Sequence, residues 1–184
     1  DLGHSQFPRC EVNQRGWSVR TVKSSRPSVA SEENDNLRVI LSSDHAGVEI
    51  RKLIFQRLQD EGWQCNDIGP ESLESVDYPV FGRAAAEKVA TGECRFGVIF
   101  CGTGQGIMMA ANKVTGIRCG VCSDVLSARL IRAHNDANML SLGARLITAE
   151  LAWEIVEAFL TTKFDGGRHL RRVNMIEGVP RGQN

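Results

Sequence analysis

Four short segments of this 184-residue chain combine residue types that can move protons or hold anions. In CGTGQG (101–106), Cys101 is followed by Gly102, Thr103, Gly104, Gln105 and Gly106. Glycines at this density let backbone N–H groups turn inward toward an anion or a developing oxyanion. The spacing does not fit a GxGxxG dinucleotide loop, and no Gly-Lys-Ser/Thr follows to make a Walker loop. A plain tight turn is the other reading of the same glycines. Cys101, ahead of a helix start, reads either as a thiolate base or nucleophile or as a small buried hydrophobe. SSDHAG (42–47) sets Asp44 beside His45, an acid and an imidazole that can bind hydroxyls and phosphate or cap a helix. HNDAN (134–138) offers His134 and Asn135 after a helical stretch, where histidine commonly caps carbonyls. FDGGRHLRRV (164–173) clusters Arg168, His169, Arg171 and Arg172, and arginine forks suit phosphate. A solvated basic helix end is the plain alternative there. Metal ligation by Asp44, His45 and His134 finds no support in an HxH or HExxH spacing.

These segments need elements to hold them. LRVIL (37–41) is a short β-branched run suited to a strand buried on both faces. Ile50, Leu53, Ile54 and Leu58 follow helical periodicity, with Gly62 placed to end the helix. WQCNDI (63–68) predicts a second strand, GPESLESVDYP a long loop, and 80–91 a helix carrying Ala84, Ala85, Ala86 and Val89. FGVIF (96–100) predicts strand three, and a helix begins near Ile107. IRCGV (117–121) and NMLSLG (138–143) predict strands four and five, separated by the helix Ser127–His134. A last helix spans 149–161, with Leu151, Ile155, Val156 and Phe159 on one face. Regular alternation predicts a single α/β domain with a doubly wound, five-stranded parallel sheet. Ligands of such sheets gather at the carboxyl ends of the strands. SSDHAG, CGTGQG and HNDAN are all expected near those ends.

Composition narrows the function classes. Lys+Arg 22 against Asp+Glu 22 gives zero formal charge, which argues against holding nucleic acid or an anionic membrane by bulk charge. No run approaches the ~18 apolar residues of a transmembrane helix. Six cysteines in a chain of this length fit a reducing compartment better than a disulfide scaffold, and Cys119 and Cys122 read as buried strand residues. Residues 1–36 read as a flexible extension, 37–177 as the domain and 178–184 as a tail. Within it, residues 2–31 are Arg- and Ser-rich with Glu11 as the one acid, as in a transit sequence, though a lineage-specific tail reads equally well.

SSDHAG, DYP (77–79), GVIFCGTGQGIMMAANKVTGIRC (97–119), ARLIRAHNDANMLSLGAR (128–145) and GGRHLRRV (166–173) occur together in one order. In that order and spacing the chain resembles the ribose-5-phosphate isomerase B family, which includes galactose-6-phosphate isomerase subunits. The resemblance covers residues 37 to about 177 and implies a flavodoxin-like, Rossmann-like fold. It implies an aldose–ketose isomerase that works on ribose 5-phosphate and ribulose 5-phosphate without metal or cofactor. By the same resemblance Cys101 is the base, His134 the acid that opens the furanose ring, and residues 102–106 the lining of the enediolate. Asp44, His45, Asn135 and Arg145 contact substrate, and Arg168 and Arg172 grip the phosphate. A homodimer or dimer of dimers with shared sites is implied, with no nucleic acid or membrane partner. Gln105 stands where an apolar residue is expected, and Ser42 where glycine is frequent. The alternatives are an isomerase of galactose 6-phosphate or allose 6-phosphate, and a non-catalytic phosphosugar-binding protein. The cytoplasm is the default compartment, or a plastid or mitochondrion if 1–36 is a transit remnant.

Overall fold

The computed structural model describes residues 38–178. The 1–36 extension, Cys10, Leu37 and all of the 178–184 tail except Gly178 lie outside the described residues. The strands are β1 (Arg38–Ser43), β2 (Gln64–Asp67), β3 (Phe96–Cys101), β4 (Cys119–Val121) and β5 (Met139–Gly143). The helices are α1 (Val48–Asp60), α2 (Tyr78–Ala90), α3 (Gln105–Ala111), α4 (Val125–Asn135), α5 (Ala149–Thr161) and α6 (Arg168–Ile176), and a 3₁₀ turn covers His45–Gly47. Every pairing is parallel and the strand order is β2-β1-β3-β5-β4. The expected doubly wound sheet is therefore present. Its last two strands are exchanged relative to the 2-1-3-4-5 order of flavodoxin-type sheets.

Strand residues alternate between two cores, as a sheet covered on both faces requires. Val39, Leu41, Val98, Phe100, Leu140 and Leu142 pack under α1, α4 and α5, with the Phe96 and Phe159 rings edge-to-face at 5.7 Å. Ile40, Ile99, Cys101 and Met139 face the other side, under α2 and α3. Ser42 and Ser43, expected in a loop, complete β1 and are fully buried. The segment 168–176, which the sequence marks as a basic cluster or a solvated helix end, is the helix α6.

Helix α1 buries Ile50, Ile54 and Leu58 as expected and departs at one position. Leu53 is 59% exposed, and Arg51, at 0% exposure, joins the buried stripe instead. Its guanidinium donates from Nη1 to Ser43 Oγ at 2.7 Å and from Nη2 to Pro70 O at 2.9 Å. Nε meets the Asp67 carboxylate at 2.9–3.0 Å. One side chain thus fastens the ends of β1 and β2 to the loop after β2. A charge removed from water this fully is tolerable only with its donors matched. Arg51→Ala leaves Asp67 without its cation, and we expect a loss of ~3 kcal/mol in urea unfolding; a change below ~1 kcal/mol would show that the network carries no stability.

Candidate active site

At the carboxyl edge of the sheet, β3 ends in Cys101, whose Sγ accepts the Gly104 N–H at 3.1 Å. Cys101 is 4% exposed, because the loop folds back over it. That fold requires glycine at 104. Its φ is +77°, and a β-carbon there would stand 2.8 Å from Val121 Cγ2 and 3.0 Å from the Leu142 carbonyl carbon. Ser141 Oγ donates to Gly104 O at 2.6 Å, pinning the loop to β5. Gly106 lies under the Tyr78 ring, which a β-carbon would meet at 2.6 Å. Arg145 donates its backbone N–H to Gly102 O at 3.0 Å, and its side chain is exposed beside the loop.

Asp44 stands on the same edge. Its carboxylate accepts the Ala46 N–H at 2.9 Å and caps the 3₁₀ turn, and its own N–H donates to Phe100 O at 3.0 Å. His45 Nδ1 accepts the Val76 N–H at 3.3 Å, tying the turn to the long loop. Thr103 Oγ1 accepts the Gln105 N–H at 3.4 Å. Cys101, 102–106, Asp44, His45 and Arg145 are therefore brought together. The cavity beside them, between Thr103, Gln105, Ser123, Gly143 and Leu146, measures about 120 Å³. Ligand pockets usually exceed ~300 Å³. This cavity is smaller than that.

His134 and Asn135 are elsewhere, which corrects the expectation for HNDAN. They end α4, which runs against the strands, and they precede Met139, the residue that pairs with Gly97 and Cys119 at the strands' amino ends. Cys101 pairs with Gly143 at the other end of β5, four residues away or ~13 Å at ~3.3 Å per residue. Asn138 seals this amino edge, accepting the Arg118 N–H at 2.9 Å and donating to Gly116 O at 2.8 Å. Helix α6 lies here too, with Arg168 and Arg172 exposed one turn apart. The His134 and His169 rings stack in parallel, centroids 4.3 Å apart at 2°. Asp44 and His45 therefore cannot share an ion with His134 within one chain.

Among the described residues, the ligand atoms of His134, Asp165 and His169 lie within 4.8 Å of one another. Parallel ring planes keep their nitrogen lone pairs from converging, and Arg168 Nε donates to His169 Nε2 at 3.3 Å. The cluster is poorly disposed toward a cation. Cys119 and Cys122 are buried and unpaired, their thiols pushed up by burial, as strand-packing cysteines would be. Sequence reasoning missed Arg51 and Arg118. Only Arg51 left a signal, since it sits on the helical period of Val48, Ile54 and Leu58.

The family model described as ribose/galactose isomerase matches residues 39–176. This chain belongs to the ribose/galactose isomerase family. It is 42% identical over 147 residues to ribose-5-phosphate isomerase B of Escherichia coli, covering 80% of this chain and 99% of that one. The crystal structure of a ribose 5-phosphate isomerase from Thermotoga maritima superposes with a TM-score of 0.76 at 44% identity, covering 78% of this chain and 99% of the other. Ribose-5-phosphate isomerase B of Mycoplasma genitalium, solved with bound ribulose-5-phosphate, gives 0.73 at 37% identity, covering 76% and 93%.

Burial first, then the charges of His134, Arg168 and Arg172, hold the His169 pKa below its usual value. The folded protein therefore refuses a proton that the unfolded chain accepts near pH ~6.5, so stability falls as pH drops below that point. We expect urea midpoints between pH 5 and 8 to show a smaller acid-side decline in His169→Gln than in the parent protein. Parallel profiles would remove His169 as the cause.

Proposed function

We propose that the protein interconverts ribose 5-phosphate and ribulose 5-phosphate through a cis-enediolate, at sites built from two chains. The observation that carries the shared site is the separation of the family's functional residues onto opposite edges of one sheet. Two copies related by a twofold axis can join one chain's carboxyl edge to its partner's amino edge, twice over. The exposed apolar residues Val80 on α2 and Met109 on α3, 65% and 59% accessible, offer a surface for such an association.

On this reading His134 gives a proton to the furanose ring oxygen while the anomeric hydroxyl releases one to water, opening the sugar. The Cys101 thiolate then takes the proton from C2 of the aldose. The electron pair left on C2 forms the enediolate double bond, and the C1 carbonyl oxygen takes the negative charge. Backbone N–H groups of 102–106 meet that charge, where aimed donors act most strongly. A proton passes from O2 to O1 and Cys101 returns its proton to C1. C1 is reduced and C2 oxidised within one molecule, so no external oxidant, metal or organic cofactor enters the balance. Arg168 and Arg172 hold the phosphate, and Asp44, His45, Asn135 and Arg145 hold hydroxyls. Binding a remote phosphate fixes the reacting carbons against the base. Five unpaired cysteines among the described residues suit a reducing compartment. We assign the cytoplasm, or a plastid or mitochondrion if residues 1–36 act as a transit sequence; identical distributions of fusions with and without them would sink the transit reading.

Ketose formation from ribose 5-phosphate tests the activity, and its absence, with thermal stabilisation by the sugar phosphate retained, would favour a binding protein instead. Cys101→Ser replaces a thiol by a far weaker acid while keeping an acceptor for the Gly104 N–H, so turnover should fall by ~10²–10⁴-fold. A folded, fully active variant would end this mechanism, leaving Glu71 or Glu74 of the long loop as bases to test. Glu71 is already held by Lys52 at 2.9 Å. Arg172→Ala should raise KM ~10–100-fold with a smaller effect on kcat. The exposed Arg171 serves as the comparison, and an unchanged KM in Arg172→Ala would count against the phosphate assignment.

A further inference from the structure

We propose that Arg118 is a positioning residue that ties the His134–Asn135 turn to α6, fixing the ring-opening histidine against the phosphate arginines. The inference rests on the isomerase reading above. Arg118 immediately precedes β4, and its side chain is 16% exposed. Nε donates to the carbonyls of Asn135 and Asp136, both at 3.0 Å. Nη2 donates to Asp136 O at 2.7 Å and to Asp136 Oδ2 at 3.2 Å. Nη1 reaches across to Glu177 Oε1, the residue capping the end of α6, at 2.6 Å. A planar guanidinium is the side chain that can serve several acceptors in fixed directions at once.

The turn it grips needs holding. Asp136 has φ 46°, the only positive value at a non-glycine position among the described residues. Helices commonly leave through this conformation with glycine, which adopts it without a steric penalty. An aspartate here brings a carboxylate, and that carboxylate is used twice. Arg132 Nη1 donates to its Oδ1 at 2.7 Å and to Ala137 O at 2.7 Å, while its guanidinium lies over the Phe96 and Phe159 rings. Arg132 therefore roots the turn in the core, and Arg118 holds it from the edge.

Helix α6 is lightly anchored. Of its nine residues only His169 and Val173 are buried. The Arg118–Glu177 contact gives it a second fixed point, at the end away from Arg168. A cavity of about 620 Å³ opens between these elements, lined by Thr115, Arg118, Asn135, Ile176 and Glu177. Without the clamp, α6 has room to shift beside it.

The two arms separate kinetically. Glu177→Ala cuts the α6 arm alone and should raise KM for ribose 5-phosphate ~3–10-fold with kcat within about twofold. Arg118→Met cuts both arms and should raise KM and also lower kcat ~10-fold, with Arg118→Lys intermediate. Melting temperatures are read beside the kinetics. If Arg118→Met does not fold, the surface change Glu177→Ala carries the test. An unchanged KM in Glu177→Ala, or activity lost only in proportion to unfolded protein, overturns the proposal. Wild-type protein inactive on ribose 5-phosphate would contradict the functional reading instead. The clamp is then read by calorimetry with inorganic phosphate: weaker binding in Glu177→Ala supports it, and equal binding overturns it.

Discussion

Five strands running in one direction impose the constraint from which the rest follows. Each turn from strand to helix must emerge at the carboxyl edge, and each turn from helix to strand must return at the amino edge. Cys101, Asp44, His45 and Arg145 follow strands; His134 and Asn135 precede one. No rearrangement of side chains brings these groups together across the length of β5. The exchange of β4 and β5 in the sheet order sharpens this, because it puts β5 beside β3. The Cys101 loop therefore rests on β5's carboxyl end, while the histidine turn leads into its amino end.

Each edge is organised around a buried or half-buried arginine. At the carboxyl edge Arg51 binds Ser43, Asp67 and Pro70, and the adjacent Asp44–His45 turn is fastened in its turn to Val76. At the amino edge Arg118 and Arg132 share the Asp136 carboxylate. Both devices use the same physics. A guanidinium withdrawn from water must find acceptors for several N–H groups, so the segments supplying them lose their freedom relative to one another. Stability and placement of the functional groups come from one set of contacts.

Much of this was legible in the sequence because it depends on local rules. Alternating apolar runs and helical periods located all five strands and the first five helices, and the glycines of 101–106 marked a loop packed too tightly for side chains. The misreadings have a common origin. Leu53 satisfies the helical period as well as Arg51 does, and only tertiary contact with Ser43 and Asp67 decides which is buried. The sequence leaves Cys101 open between a thiolate and a buried residue because the fold-back of its own loop is a long-range event, held by Ser141. HNDAN was assigned to the wrong edge because motif spacing carries no direction; the direction of α4 relative to the sheet does. Helix α6 carries Leu170, Val173 and Ile176 at helical spacing, but of these only Val173 is buried, and the helix owes its place to His169, Val173 and Arg118.

The division of the site between edges is most directly tested by mixing two single-site variants. Cys101→Ser damages only the carboxyl-edge half and His134→Ala only the amino-edge half. Each alone should be nearly inactive on cyclic ribose 5-phosphate. Co-expressed or co-refolded, they should form hybrids in which one of two sites combines an intact Cys101 from one chain with an intact His134 from the other. Random pairing in a dimer then restores about a quarter of wild-type activity, since half the dimers are hybrids with one working site each. Activity no greater than the sum of the separate variants, with exchange of chains verified, would contradict a site shared between two copies.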